Sequence, residues 1–192
     1  FDEDGKQFMG YITDGTRRMQ NLIRDLLAYS RVNRFNTNYE EVDLNEVFDA
    51  VNQALNDKIN ENDAIILAEN LPVIQGNKIQ LIQVFQNFID NAIKFRGKKP
   101  PEITIDVKEL PDKWQISFTD NGIGIAPEYF QRIFIIFQRL HSMEEYSGTG
   151  IGLAMCKKII ERHGGEVWVE SKLGKGTVFY FTIAKNLIGP AA

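Results

Sequence analysis

A stripe of apolar and small residues near the N terminus restricts most strongly how this chain can fold. Its members follow one another at intervals of four, three, four, three and four residues: Phe8, Ile12, Gly15, Met19, Leu22 and Leu26. This spacing is typical of a helix in a bundle. A helix over residues 5–34 would be about 45 Å long, and a single helix cannot bury such a stripe by itself. We therefore predict that it packs in a bundle, the alternative being a helix folded back on the chain's own domain.

The rest of the chain divides around a polar segment. Residues 33–38 interrupt the helical period, so the boundaries are predicted as helix 1–34, linker 35–40, domain 41–186 and tail 187–192. With 192 residues and a net charge of −4, nothing electrostatic favours nucleic acid as a partner. No run approaches the roughly 18 apolar residues of a membrane span, and no signal peptide is recognisable. We expect a cytoplasmic protein, attached to a membrane only through segments outside this sequence, and a piece of a longer chain because it begins with Phe1 in a helix.

Periodicity predicts an α/β two-layer sandwich after the linker, with helices on one face of a mixed sheet. Helices are expected near 45–57, 78–95 and 151–162. Strands are expected near 41–42, 64–68, 102–109, 114–119, 166–171 and 177–184, with a turn at Pro111 to Lys113 and a hairpin turn at Gly174 to Thr177.

The helix predicted at 78–95 has two distinct faces. Its apolar face comprises Leu81, Phe85, Phe88, Ala92 and Phe95, whereas Gln80, Gln83, Asn87, Asn91 and Lys94 follow one another on a polar face. Asparagine is unfavourable inside a helix, so two of them one turn apart suggest a function. Their amide oxygens suit a hard cation such as Mg²⁺, and Lys94 suits a phosphate. The alternative is that these polar residues simply form the solvent-exposed face of the helix, which would give the same pattern.

Asp120 to Gly124 follows a predicted strand and reads Asp-Asn-Gly-Ile-Gly. The tripeptide is first of all a turn signal. The functional interpretation is that the carboxylate at the strand end accepts a hydrogen bond from a ligand, while Gly122 and Gly124 let the backbone approach it closely.

A second glycine-rich segment, Gly148 to Gly152, opens the helix predicted at 151–162. Backbone N–H groups at a helix N-terminus can hold phosphates. A dinucleotide-binding fingerprint would place its third glycine at Leu153, and no strand-helix-strand unit follows, so that reading fails. Gly174 to Thr177 also lacks the pattern of a phosphate-binding P-loop.

Between the glycine segments, residues 138–147 are polar and lack an apolar period, which predicts a mobile lid flanked by Phe134 and Phe137. His141 lies in this lid. His163 precedes Gly164 at a predicted helix end, where a cation is favourable, and is assigned a structural role. Cys156 is predicted to be an inert thiol in or near the core.

The order of these segments resembles the catalytic half of sensor histidine kinases, similar to phytochrome-like and PAS-linked members. The segments on which this resemblance rests follow the long helix in the sequence. They are Asn87 to Ala92, Asp120 to Gly124, Phe134 to Phe137 and Gly148 to Leu153. The resemblance implies that Asn91 binds Mg²⁺ and that Asp120 binds adenine. It also implies that Asn87 matches a polar position of the family's site and that Lys94 matches a phosphate-contacting one. By the same resemblance the other nucleotide-binding residues are Gly122, Gly124, Phe137, Gly148, Thr149, Gly150, Gly152 and Leu153, and Arg139 approaches the terminal phosphate. Ile135 and Ile136 depart from the family, which often has an acidic residue and a proline there.

The resemblance further implies that the chain transfers the γ-phosphoryl group of ATP to a histidine on a first bundle helix, for relay to a response regulator. Helix 1–34 would be the second helix of a dimerisation hairpin. Neither His141 nor His163 matches the acceptor. Two alternatives remain: an ATPase of the gyrase and chaperone type, in which a glutamate base replaces Asn87, and a degenerate kinase serving as a dimeric ATP-sensing scaffold.

Overall fold

Helix α1, Glu3–Arg31, forms the N-terminal part of the protein. The structure, a computed structural model, describes residues 2–32, 39–140, 146 and 148–186. The predicted tail and most of the predicted linker therefore lie outside the described residues. Asp2 caps α1 by accepting a hydrogen bond from the Gly5 N–H group at 2.8 Å. The helix ends three residues before the predicted boundary, and no helix in the described part of the chain is long and apolar enough to cross a membrane.

The remaining elements are a mixture of helices and strands. They are β1 (Glu40–Asp43), α2 (Leu44–Ala54), α3 (Asn56–Glu61), β2 (Ile65–Ala68), β3 (Val73–Gly76), α4 (Lys78–Lys94), β4 (Glu102–Glu109), β5 (Lys113–Asp120), two short 3₁₀ helices (Pro127–Tyr129 and Arg132–Phe134), α5 (Gly152–Arg162), β6 (Val167–Ser171) and β7 (Thr177–Ala184).

Five strands form the main sheet in the order β2-β4-β5-β7-β6. Strand β2 pairs with β4 in parallel, and the other neighbours are antiparallel. The predicted mixed sheet is therefore confirmed. Strands β1 and β3 form a separate antiparallel pair. We did not predict β3, because four residues ending in a glycine carry too short an alternation to be recognised.

One face of the main sheet packs against helices α4 and α5, and α2 packs against α4, as the two-layer prediction requires. Rings from α4 meet rings from the strands: Phe85 contacts Phe118 edge-on with centroids 5.0 Å apart, and Phe88 stacks on Phe179 at 5.2 Å. Cys156 is fully buried, which confirms its core position. Burial raises the pKa of this thiol far above its ordinary value, so it is inert.

The prediction of one helix over 45–57 was wrong, because two helices share that stretch. Helix α2 ends at Ala54, and Leu55 leaves helical geometry with φ −101° and ψ 6°. The Leu55 side chain is buried. Asn56 and Asp57 then open α3, and such residues favour the first turn of a helix over its interior.

His163 follows α5 and is fully buried. Its Nε2 accepts a hydrogen bond from the Asn77 N–H group at 3.1 Å, and its Nδ1 donates to the Ile159 carbonyl at 2.8 Å. Burial lowers the pKa of the imidazole, and the nearby Arg162 lowers it further. The structural role is confirmed, but the expectation of a cation is wrong, because both ring nitrogens are used by a neutral ring.

We expect the neutral His163 to make the protein less stable in acid. The unfolded histidine titrates near 6.5 and the native one below that value, so the unfolded state binds more protons in this window. The stability is present above pH 6.5 and is lost as the pH falls through the native pKa. Urea unfolding of wild type and His163→Gln at pH 8, 7, 6 and 5 measures this. The wild type should lose more unfolding free energy than the variant, and equal losses would contradict the assignment.

Candidate functional site

A cavity of about 380 Å³ opens between α4, the end of β5 and the start of α5. Its wall contains eleven of the predicted site residues: Asn87, Asn91, Lys94, Asp120, Gly124, Arg139, Gly148, Thr149, Gly150, Gly152 and Leu153. Gly122 and Phe137 lie outside the wall. Residues as far apart in the sequence as Asn87 and Leu153 thus meet in one place, as the order of the segments predicted.

Asp120 ends β5 at one side of the cavity, where β5 pairs with β7. Its Oδ1 accepts two backbone hydrogen bonds, from Gly122 at 2.8 Å and from Thr177 at 3.1 Å. Burial raises the pKa of this carboxyl to about 6, although both hydrogen bonds oppose the rise. Because Oδ1 is used by the backbone, Oδ2 is the oxygen left for a ligand. Gly122 does not line the cavity itself, but its N–H group orients the Asp120 carboxyl.

Asn87, Asn91 and Lys94 line the cavity from successive turns of α4. Asn87 donates from Nδ2 to the Gln83 carbonyl at 2.8 Å, which orients Oδ1 toward the start of α5. A Cβ on Gly152 would come within 2.5 Å of that Oδ1, so only glycine allows this approach. Gln80 and Gln83, on the same predicted polar face, do not line the cavity.

The segment Gly148 to Gly150 forms a partly buried loop that leads into α5. Gly148 has φ 142° and Gly150 has φ 73°, conformations that favour glycine. Lys94 Nζ lies 3.0 Å from the position that a Cβ on Gly148 would occupy. Burial lowers the pKa of this ammonium group, while Asp90 opposes the shift. A lysine therefore stands beside the N-terminus of α5, where the helix dipole also favours anions.

Arg139 ties the described ends of the predicted lid together. It donates to the Gly148 carbonyl at 2.8 Å and to the Tyr146 carbonyl at 2.5 Å. Phe137 has φ 63°, is 53% exposed and donates its N–H to the Gly150 carbonyl at 3.0 Å. It supports the loop from outside the cavity. His141 and most of the lid lie outside the described residues.

Several residues that line the cavity were not predicted from the sequence. Phe95 and Tyr146 form a tilted ring pair with centroids 4.8 Å apart at the cavity edge. Thr177 lies opposite Asp120 in the β5–β7 register. Asn21 and Asp25 reach the wall from α1. No local signal marks these residues, because each reaches the cavity only through long-range packing.

The wall fits an adenine nucleotide with a divalent cation. A carboxylate oxygen for an amino group lies on one side, and amide oxygens, a lysine and a helix N-terminus lie on the other. Gly124 (φ 74°) and Gly152 occupy positions where a Cβ would strike neighbouring atoms at 2.2 and 2.5 Å. These glycines allow close packing inside the protein around the cavity, and the two polar ends of the wall suit a ligand with a planar base and phosphates.

Comparison with known proteins identifies the family. Residues 76–187 match the family of histidine kinase-, DNA gyrase B- and HSP90-like ATPases. The chain belongs to this family. Cyanobacterial phytochrome A of Nostoc sp. is 47% identical over 182 residues, which cover 95% of this chain and 24% of the phytochrome. The chain therefore spans about a quarter of that relative's length.

Solved structures agree with this assignment. The catalytic domain of histidine kinase ThkA is 30% identical with a TM-score of 0.66, covering 77% of this chain and 96% of that domain. ThkA in complex with the response regulator TrrA is 26% identical with a TM-score of 0.70, covering 97% of this chain and 53% of that chain. The protein is thus homologous to the catalytic part of sensor histidine kinases, which confirms the resemblance.

We expect Asp120→Asn to stabilise the protein above pH 6. The native pKa of about 6 exceeds the ordinary value of 3.8, so the native state destabilises the ionised form. A difference of about two between these values corresponds to about 3 kcal/mol of unfolding free energy, present at low pH and lost as the pH rises through 6. Asparagine keeps the Oδ1 acceptor without the charge. Urea unfolding at pH 5 and pH 8 should show a larger gain at pH 8, and an equal effect at both values would exclude the buried charge as the cause.

Proposed function

We propose that this chain binds ATP with Mg²⁺ and transfers the γ-phosphoryl group to a histidine of a dimerisation helix, for relay to a response regulator. The observation that carries the proposal is the convergence of Asp120, Asn91 and the Gly148 to Gly152 loop on one cavity. In the transfer, the bond between the γ-phosphorus and its bridging oxygen breaks, a phosphorus–nitrogen bond forms, and ADP leaves.

Asp120 would bind the adenine end. Its Oδ1 is already held by the Gly122 and Thr177 N–H groups, which orients Oδ2 before any ligand arrives. An acceptor held in place loses little conformational freedom on binding. A carboxylate at this position accepts from the adenine amino group and disfavours guanine, which presents a carbonyl oxygen at the equivalent position.

Asn91 would supply an oxygen ligand to Mg²⁺, with Asn87 one turn earlier. Mg²⁺ commonly takes few protein oxygens and completes its shell with phosphates and water. When bound, the ion neutralises phosphate charge and orients the phosphates. The residues of this chain would hold that arrangement: Lys94 and Arg139 provide positive charge, and the start of α5 provides backbone N–H groups.

The gyrase and chaperone type of ATPase activity fits the cavity less well. Such chemistry needs a base to activate water, and an amide stands at Asn87, where a glutamate would be required. The Nδ2 of Asn87 donates to the Gln83 carbonyl. This amide side chain therefore has a positioning role and cannot accept a proton from water. An ATP-sensing scaffold without transfer remains the second candidate, and only a transfer assay separates it from a kinase.

The apolar stripe of α1 supports a homodimer through the helix bundle. Phe8, Ile12, Met19 and Leu26 are 66, 62, 58 and 46% exposed in the single chain. The chain's own domain thus leaves these four stripe residues uncovered, and a second copy of the hairpin would cover them. We also propose that the chain is organised as a bundle helix over residues 1–34, a linker over 35–40, a catalytic domain over 41–186 and a tail over 187–192. A response regulator is the proposed partner that receives the phosphoryl group.

Replacing Asn91 by Ala should abolish the strengthening of ATP binding by Mg²⁺, a loss of about 10- to 100-fold in metal affinity. Adenosine binding should persist, because Asp120 is untouched. Calorimetry with and without Mg²⁺ measures both. Gln86→Ala, an exposed position on the same helix outside the cavity, is the matched control. If Mg²⁺ strengthens ATP binding equally in Asn91→Ala and wild type, Asn91 is not a ligand.

Transfer should be visible in trans. With γ-labelled ATP, the chain should label a separately prepared hairpin bearing the acceptor histidine of the full-length protein, and the label should be lost in acid. The rate should be lower than in the full-length protein, because the tether's effective concentration is missing. His163→Gln should not change the labelling, since His163 is buried and bonded on both nitrogens. Asn91→Ala should abolish it. ATP binding without any labelling would favour the scaffold.

A further inference from the structure

The last turns of α1 lie against α5 through a face different from the apolar stripe. Lys158 donates from Nζ to the Tyr29 carbonyl at 2.9 Å and lies 4.0 Å from the centroid of the Tyr29 ring. Arg162 donates to the Val32 carbonyl, and Val32 is 6% exposed. Two cations of α5 thus meet the carbonyl end of α1, where the helix dipole favours positive charge. We call this arrangement the docked form.

In the docked form α1 brings a carboxylate to the cavity. Asp25 Oδ2 accepts a hydrogen bond from the Thr149 hydroxyl at 2.6 Å, across 124 positions of sequence. Thr149 belongs to the loop that leads into α5. Asp25 and, one turn earlier, Asn21 line the cavity together with Lys94 and Arg139. The carboxylate therefore lies at the end of the cavity that faces the start of α5, away from Asp120 of β5.

Asp25 has no salt-bridge partner in the part of the chain that the structure describes. In residues 2–32, 39–140, 146 and 148–186, no lysine or arginine forms a salt bridge with it. Asp90, the other carboxylate at this end, is paired with Lys58. A phosphate brought to the Gly148 to Gly152 loop would thus meet, beside the positive charges of Lys94 and Arg139, a negative charge next to Thr149 that no salt bridge pairs.

We propose that Asp25 is a specificity-determining residue of the nucleotide site, which makes the docked form favour ADP over ATP. The inference rests on the proposed function, because it takes the α5 end of the cavity as the phosphate end. The terminal phosphate of ATP adds negative charge there, so it is the group that Asp25 disfavours most. By thermodynamic linkage, ATP must weaken the docking of α1 by the same factor that docking weakens ATP binding. Release of α1 would then free it to move relative to the catalytic domain when ATP is bound.

Three variants separate the charge of Asp25 from its hydrogen bond. Asp25→Asn keeps an acceptor for the Thr149 hydroxyl and removes only the charge. Asp25→Ala removes both. Asp14→Asn removes an exposed carboxylate of the same helix, paired with Arg17 at 3.7 Å and outside the cavity wall. Calorimetry at low salt would give the affinities of all four proteins for adenosine, Mg²⁺-ADP and Mg²⁺-ATP.

The expected result is a rise of about three- to tenfold in the affinity of Asp25→Asn for ATP, a smaller rise for ADP and no change for adenosine. Asp25→Ala should behave similarly, and Asp14→Asn should match the wild type. Raising the salt concentration should shrink the difference between Asp25→Asn and wild type. If the ratio of ATP affinity to ADP affinity is the same in wild type and Asp25→Asn, this inference is wrong, while the proposed function is unaffected. The same holds if that ratio changes in Asp25→Ala but not in Asp25→Asn. A wild type that binds none of the three ligands would overturn the proposed function.

Discussion

The pairing of β5 with β7 at the centre of the sheet is the constraint on which the site depends. In this register Asp120 lies opposite Thr177, and the Thr177 N–H group reaches the Asp120 carboxyl. Gly176 lets the strands approach, because a Cβ there would lie 1.9 Å from the Asp120 carbonyl oxygen. A shift of one residue would point Asp120 to the opposite face of the sheet. The packing of Phe118 and Phe179 on α4 opposes such a shift, so core and site enforce the same register.

Helix α4 connects that core to the second half of the site. Phe85 and Phe88 bury one face against the sheet, which sets the rotation of the helix about its axis. Once that rotation is set, Asn87 and Asn91 can only face the cavity, because residues three or four apart share a face. The cost of asparagine in a helix interior is thus tolerated where its oxygens are needed. The raised pKa of Asp120 is a comparable cost, and both fit the general observation that binding sites reduce stability.

Helix α1 uses two faces for two purposes. Phe8, Ile12, Met19 and Leu26 of the apolar stripe are exposed, which suits association with another helix pair. The face that carries Asp25, Tyr29 and Val32 instead contacts the loop before α5 and α5 itself. The three hydrogen bonds are partly buried, and Val32 belongs to the hydrophobic core, against which Ala28 and Tyr29 also pack. Opening this interface would therefore expose the apolar surface around Val32 and break these hydrogen bonds, so burial and polar contacts both stabilise the docked form.

The sequence by itself determined the two-layer fold, most element boundaries and the residues of the cavity wall that belong to local motifs. Asn87 and Asn91 stand out because they interrupt an apolar helix, and Asp120 and the glycines stand out because turns and helix starts constrain them. These are short-range effects, so they can be read from neighbouring residues. Only the tertiary structure decided the break between α2 and α3, the β1–β3 pair, the neutral state of His163 and the position of Asp25. Each of these depends on burial or on contact between distant segments, such as the 124 positions between Asp25 and Thr149. Local pattern carries no information about such distances, because packing selects them only when the whole core forms.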